Sequence, residues 1–168
     1  MATELENQRT GAENVTWDLS DLYAGIDDPR IDQDINQIND RVAQLEVEHR
    51  GKLASYDEEK LCQTIQEYEA IIEGATRIGA FVNLLWTTDT GNAKYGAVLQ
   101  RVTEWSSQIE QQLVFFDLEW INAPDDFARQ MIDHPVLEQY RHWLETMRRY
   151  QPYRLREAEE KILAEKSV

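Results

Sequence analysis

The residues able to do chemistry in this chain are three histidines, one cysteine and 32 carboxylates. A metal or nucleophilic site needs such residues at spacings that bring them together. Around His49 the chain reads EVEHRGK, around His134 IDHPVLE and around His142 YRHWLET. None is H-E-x-x-H, which sets two imidazoles one helical turn apart with a Glu beside the metal-bound water. Glu46-x-x-His49 is the half-motif of di-iron bundles. Such a site needs the motif twice, with carboxylates from two further helices. Here it is single, and it reads as a polar, solvated helix end. Cys62, the lone cysteine, excludes an internal disulfide and a Cys-rich zinc site. Beside Leu61 it reads as an inert packing thiol.

Asp and Glu are so abundant that pairs at helical spacing arise by chance, and none stands out as an acid–base couple. No Gly-rich phosphate loop or G-x-S-x-G elbow occurs. One anomaly is a basic cluster: Arg141, His142, Arg148, Arg149, Arg154 and Arg156. Glu138, Glu145, Glu157 and Glu160 lie within intrahelical pairing reach. Local ion pairs are therefore favoured over a docking surface or an anion site. The residues alone yield no catalytic, cofactor-binding or metal-ligating position.

The elements that would position any site are helical. Gly (7) and Pro (4) are scarce among 168 residues, and no stretch alternates with a period of two. A net charge of −15 and a pI near 4.5 repel phosphate backbones and anionic lipid, so nucleic-acid and membrane-surface binding are not expected. With no signal peptide and no spanning run, a cytoplasmic location is the default reading.

Residues 1–16 read as a polar tail and 17–168 as one all-α domain. WDLSDLY, residues 17–23, reads as an extended anchoring segment, with Trp17, Leu19, Leu22 and Tyr23 fastening it onto the helices and Ser20 or Asp21 capping a short turn. Asp27 or Asp28, with Pro29, starts a first helix carrying Ile31, Ile35, Ile38, Val42 and Leu45, and Gly51 stops it. Ser55-Tyr56-Asp57-Glu58 has the capping-box form. A second helix of about 30 residues follows, with Leu61, Ile65, Tyr68, Ile72, Ala75, Ile78, Val82 and Leu85 inward. TTDTGN breaks it, and Asn92 caps a third helix with Tyr95, Val98, Val102, Trp105, Ile109, Leu113, Phe116 and Trp120. This helix broadens its apolar face through Val114, Phe115, Leu118 and Ile121. Pro124 ends it, Asp125-Asp126 cap a short helix near 127–132, and His134-Pro135 opens another from Val136 to Tyr150. A last helical pattern starts near Arg156. The architecture is an elongated antiparallel hairpin or bundle with shorter helices packed at one end.

In this order, WDLSDLY, the break at TTDTGN, FFDLEW at 115–120, HPVLEQYRHWLE at 134–145 and the closing LREAEEKILAEKS resemble the N-terminal region of the oligoendopeptidase F family. These are zinc metallopeptidases of the thimet-oligopeptidase-like class. The chain departs from their pattern where Leu155 is followed by Arg156 rather than by a Ser cap. The resemblance implies an N-terminal piece of a longer enzyme that cleaves short peptides in a channel, this piece forming one wall. It implies zinc in the parent enzyme, held by H-E-x-x-H and a further Glu downstream, with the zinc polarising the peptide carbonyl and a Glu activating water. It also implies a C-terminal catalytic domain as partner, and self-association of the isolated piece through the surface that domain would cover. The competing reading is a stand-alone acidic helical module for protein interaction, with a polar surface throughout.

Overall fold

The computed structural model describes residues 18–149, and these form five α-helices and two 3-10 turns with no strand among them. Trp17, the tail before it, and the helical pattern from Arg156 onward lie outside the described residues.

The anchoring segment is a turn rather than an extended strap. The amides of Leu22 and Tyr23 both donate to the Leu19 carbonyl, at 2.9 and 3.2 Å. Its cap is Asp18, whose carboxylate accepts the Ser20 N–H at 3.0 Å, and not Ser20 or Asp21. An Asp two residues ahead of an amide closes such a turn more tightly than a hydroxyl does. Tyr23 is 2% exposed and packs edge-on against Phe81, with ring centroids 5.0 Å apart. Its hydroxyl donates to Asp34 at 2.8 Å. Leu19 and Leu22 pack against the same core. Leu19, Leu22 and Tyr23 thus dock on this bundle.

Helix α1 spans Pro29–His49. Asp28 is the cap residue: its carboxylate accepts the amides of Arg30 and Ala24, and Pro29 sits where a missing N–H costs nothing. After the C-cap Arg50 comes Gly51 with φ +81°, the left-handed conformation a glycine adopts without strain. A 3-10 turn, Leu53–Ser55, then leads to α2, Glu58–Thr88. Here the capping-box reading fails. Ser55 spends its hydroxyl on the Lys52 carbonyl, and Asp57 caps α2 by accepting the Lys60 amide.

Helix α2 has 31 residues, about 46 Å at 1.5 Å per residue. Helix α3, Ala93–Asn122, returns antiparallel after Asn92 caps it through the Lys94 and Tyr95 amides. The seam between α1 and α2 is close at Gly74, where an added Cβ would meet the Ile38 Cδ1 at 3.0 Å. Ile31, Ile38, Val42 and Leu45 of α1, Ile65, Ile71, Ile78, Phe81 and Val82 of α2, and Val102, Trp105, Ile109 and Leu113 of α3 form the shared core. Ile71 and Phe81 lie off the stripe drawn from the sequence. They are buried because α2 is packed on two sides, by α1 and by α3.

Past Leu113, α3 buries Phe115, Phe116, Leu118, Trp120 and Ile121 together. The short elements cover this end. Helix α4, Asp125–Asp133, has Pro124 at its cap position with no side-chain cap, so Asp125 and Asp126 lie inside its first turn and not before it. The single helix expected from Val136 to Tyr150 is divided into a 3-10 helix, Pro135–Tyr140, and α5, Arg141–Arg149. The division leaves Leu137 fully buried and places the Tyr140 hydroxyl 2.8 Å from Glu69 of α2. It also sets Trp143 parallel to Phe116, which in turn stacks on Tyr68 at 4.7 Å.

Arg148 of α5 closes the end of α3. Its guanidinium donates to the carbonyls of Trp120 (2.9 Å), Ile121 (3.3 Å) and Ala123 (3.0 Å) and pairs with Asp125. Those carbonyls belong to a helix terminus that has no intrahelical partners for them. Replacing Arg148 with Met keeps the stem but orphans these acceptors, so urea denaturation should show a loss of about 1.5–3 kcal/mol. Asp125→Asn, at a carboxylate 81% exposed, should cost less than about 1 kcal/mol. Equal losses for the two variants would show that the ion pair, and not the helix-end contact, is what matters.

Tyr23 generates a prediction at alkaline pH. Its phenol is pushed up to about 12, first by burial and then by the Asp34 carboxylate that accepts its proton. An unfolded tyrosine titrates near 10. The neutral phenol therefore contributes stability that is full below pH 10 and lost as pH rises through about 12. Tyr23→Phe should cost about 1 kcal/mol at neutral pH. Its stability should then fall less steeply than that of the parent chain between pH 10 and 12, measured by urea unfolding across that range.

Candidate functional site

His49 is where the structure departs most from the sequence reading. It was expected at a solvated helix end, yet it is 1% exposed. Gly51 turns the chain back within seven residues, so the 3-10 turn and the second turn of α2 cover the last turn of α1. The imidazole Nδ1 lies 2.8 Å from the Tyr56 hydroxyl and 3.4 Å from Thr64 Oγ1. Nε2 lies 3.3 Å from Glu67 and 3.8 Å from Glu48. Thr64 gives its own proton to the Lys60 carbonyl. With Nε2–H donated to Glu67, Nδ1 accepts from Tyr56, and the chain of bonds runs carboxylate, imidazole, phenol.

That order resembles an activated-nucleophile relay, but its last member is not a nucleophile. Tyr56 is raised above the ordinary phenol value, by burial first and then by the negative charges of Glu119, Glu48 and Glu67. It stays protonated and serves as a hydrogen-bond donor. Glu46, the other half of the di-iron spacing, pairs with Arg50 at 2.7 Å. The arrangement is a polar clamp joining α1 to α2.

The remaining histidines are not drawn into a site. His134 turns Nδ1 to the Val136 amide at 3.4 Å as the cap of its own 3-10 helix, and His142 is exposed. Among the described residues no group of three or more His, Cys, Asp or Glu could hold a metal ion. Zinc, which the sequence resemblance implies for the parent, does not fit these side chains. Cys62 is buried with its thiol toward the Val136 carbonyl at 3.6 Å, a packing position.

The basic cluster resolves into separate roles. Arg141 pairs with Glu138 at 2.7 Å and Arg149 with Glu145 at 4.0 Å, as intrahelical spacing implies. Arg148 instead reaches across to α3, a long-range role that local charge spacing does not reveal. Arg154, Arg156, Glu157 and Glu160 lie outside the described residues.

What α2 and the short helices leave open is a groove. A cavity of about 490 Å³ is walled by Ile65, Tyr68 and Ile72 of α2 and by Tyr140 and Trp143, with Glu69 and Glu73 at its edge. Beyond Ile72 it continues as a second cavity of about 580 Å³ between α2 and α3, past Ala75 and Leu84 to Ile109. No helix among the described residues is long and apolar enough to cross a membrane.

Residues 119–168 match a protein-family model described as oligopeptidase F. That segment holds the end of α3, all of α4 and α5, and the residues after them. Over 153 residues, 90% of the chain, the sequence is 24% identical to the oligopeptidase PepF of Bacillus subtilis (strain 168). The chain spans only 22% of that relative's length. No solved structure matches. The chain resembles the N-terminal domain of an oligoendopeptidase F, and both the family match and the similarity to PepF bear that resemblance out.

Proposed function

We propose that this chain is the N-terminal helical domain of a zinc-dependent oligoendopeptidase that hydrolyses short peptides in the cytoplasm. In that enzyme it forms one wall of the substrate channel and supplies no catalytic or metal-binding residue. The observation that carries the reading is the family match over residues 119–168, the segment whose described part packs around the apolar end of α3. The similarity to PepF extends the same reading across α1, α2 and α3. Residues 17–168 act as one domain behind a polar tail, and a C-terminal catalytic domain is its partner. By itself, the domain self-associates through the surface that partner covers.

The donor set here supports placing the metal elsewhere in the longer polypeptide. The buried imidazole of His49 is committed to Tyr56 and Glu67. What these residues contribute is shape: two antiparallel helices of about 45 Å, long enough to flank an extended peptide of roughly a dozen residues.

The reading is tested on the chain and on the longer polypeptide that contains it. The 168-residue chain should retain no stoichiometric zinc after dialysis, by atomic absorption, and should leave a fluorogenic short peptide intact. The longer polypeptide should cleave the same peptide, and chelation followed by zinc should abolish and restore cleavage. A longer polypeptide that neither holds zinc nor cleaves short peptides would overturn the proposal, and so would zinc-dependent cleavage by the 168-residue chain alone.

A further inference from the structure

We propose that the cleft between α1 and α2 beside Gly74 binds a small zwitterion, a free α-amino acid or a dipeptide, with its carboxylate on Arg41 and its ammonium group on Glu73. The proposal concerns a surface of the chain itself and stands whether or not the longer polypeptide is a peptidase.

Two opposite charges share this cleft without pairing. Arg41 of α1 and Glu73 of α2 both line a cavity of about 280 Å³. Among the described residues, neither side chain makes an ion pair or a hydrogen bond. For Arg41 the reason lies in the sequence. Partners on a helix stand three or four residues away, and around Arg41 those positions hold Gln37, Ile38, Gln44 and Leu45. Glu73 has such a neighbour in Arg77, but Arg77 turns across to Asp34 of α1 at 3.3 Å. Asp34 also takes the Tyr23 hydroxyl at 2.8 Å, so the tie between the helices here is complete without Glu73.

The surroundings select the ligand. Arg41 also lines a narrower cavity of about 130 Å³, but both carboxylates there are taken, Glu48 by the Gln44 amide at 2.8 Å and Glu67 by His49 at 3.3 Å. A simple anion would meet Glu73 and a net charge of −15, and a simple cation would meet Arg41. A zwitterion brings no net charge and satisfies both groups. The forked guanidinium suits a carboxylate, which it can hold through two parallel N–H donors. Ile38 lies against Gly74, and with Ala70 it gives the cleft a short apolar floor for a Cα and a small side chain. A volume of about 280 Å³ falls below the ~300–1,000 Å³ of pockets for drug-sized ligands, which limits the occupant to one or two small residues.

The test titrates the full 168-residue chain with alanine and with alanylalanine at neutral pH and low salt, read by amide chemical shifts in NMR. At least one of the two should saturate with a dissociation constant of about 1 mM, shifting the amides around Arg41 and Gly74. N-acetylalanine, which lacks the ammonium group, and alaninamide, which lacks the carboxylate, should each bind roughly tenfold more weakly or less. Arg41→Gln and Glu73→Gln should each weaken the zwitterion about tenfold. Arg129→Gln, which removes an exposed charge from α4, should leave its affinity unchanged. Tighter binding of alanine assigns the cleft to a free amino acid, and tighter binding of alanylalanine to a peptide's two ends; either result upholds the proposal. No saturable shift below about 10 mM overturns it, as do capped ligands that bind the unaltered chain as well as the zwitterions. Full affinity in a folded Arg41→Gln or Glu73→Gln chain overturns it too.

Discussion

Everything in this fold answers one constraint, the apolar end of α3. Over most of their length α1, α2 and α3 are amphipathic, and three such helices can cover one another. From Leu113 onward, however, α3 carries Leu113, Phe115, Phe116, Leu118, Trp120 and Ile121, all buried, and these residues point in several directions around its axis. Two neighbouring helices cannot shield such a surface. The turn after α1, α4, the 3-10 helix and α5 are the extra cover, and each presents its own buried residue there, from Leu53 to Ala128, Leu137 and Leu144. Burying an aromatic of this size is worth about 3–5 kcal/mol against truncation to Ala. That outweighs the surface ion pairs that also cross between elements. Lys94–Asp27 and Arg101–Asp32 are largely exposed and contribute well under about 1 kcal/mol each.

The same constraint creates the polar problems that the structure solves. When α3 ends inside a core, its last carbonyls lose access to water, and Arg148 supplies donors to three of them while lying over the Trp120 ring. At the opposite side of this end, the carboxylate of Glu119 accepts from the amides of Gly51 and Leu53. These amides lie in the turn between α1 and α2, ahead of the first intrahelical bonds, so they need a partner from elsewhere. The His49 clamp meets a like need, tying α1 to α2 through Tyr56, Thr64 and Glu67 where the two helices part.

What the sequence disclosed and what it hid divide along range. Helix boundaries set by local chemistry were readable: Asp28 with Pro29, Gly51 and Asn92 each act on amides or dihedrals within a few residues. The all-α architecture was readable from periodicity, as was the broadening of α3. Two near neighbours competing for one role were not: Asp57 caps α2 in place of Ser55, and Asp18 caps the first turn in place of Ser20 or Asp21. In both cases a carboxylate lies two residues from the hydroxyl, and a charged acceptor holds an amide more strongly than a neutral one; Asp18, unlike Asp21, also precedes the Ser20 amide it accepts. Partners distant in sequence were hidden altogether. His49 with Glu67, Arg148 with Trp120 and Tyr140 with Glu69 are separated by 18, 28 and 71 residues, and no periodicity encodes them. The split of the helix after His134 belongs here too, since it accompanies the contact of Tyr140 with α2.

The family match and the apolar end of α3 meet in the same stretch, and this has a physical reason. Residues 119–149 contain the last turn of α3, the carbonyls that need Arg148, the α4 first turn that holds Asp125 and the aromatic Trp143. These residues depend on one another. Replacing Trp120 changes what α4 and α5 pack against, and replacing Arg148 exposes the carbonyls Trp120 leaves behind. Helices α1, α2 and the first half of α3 are under a looser demand, because any apolar stripe of suitable volume will close a three-helix seam. Interdependent residues hold a recognisable pattern where interchangeable ones do not. The match of the family model to residues 119–168, within a similarity to PepF of 24% over 153 residues, accords with that difference in constraint.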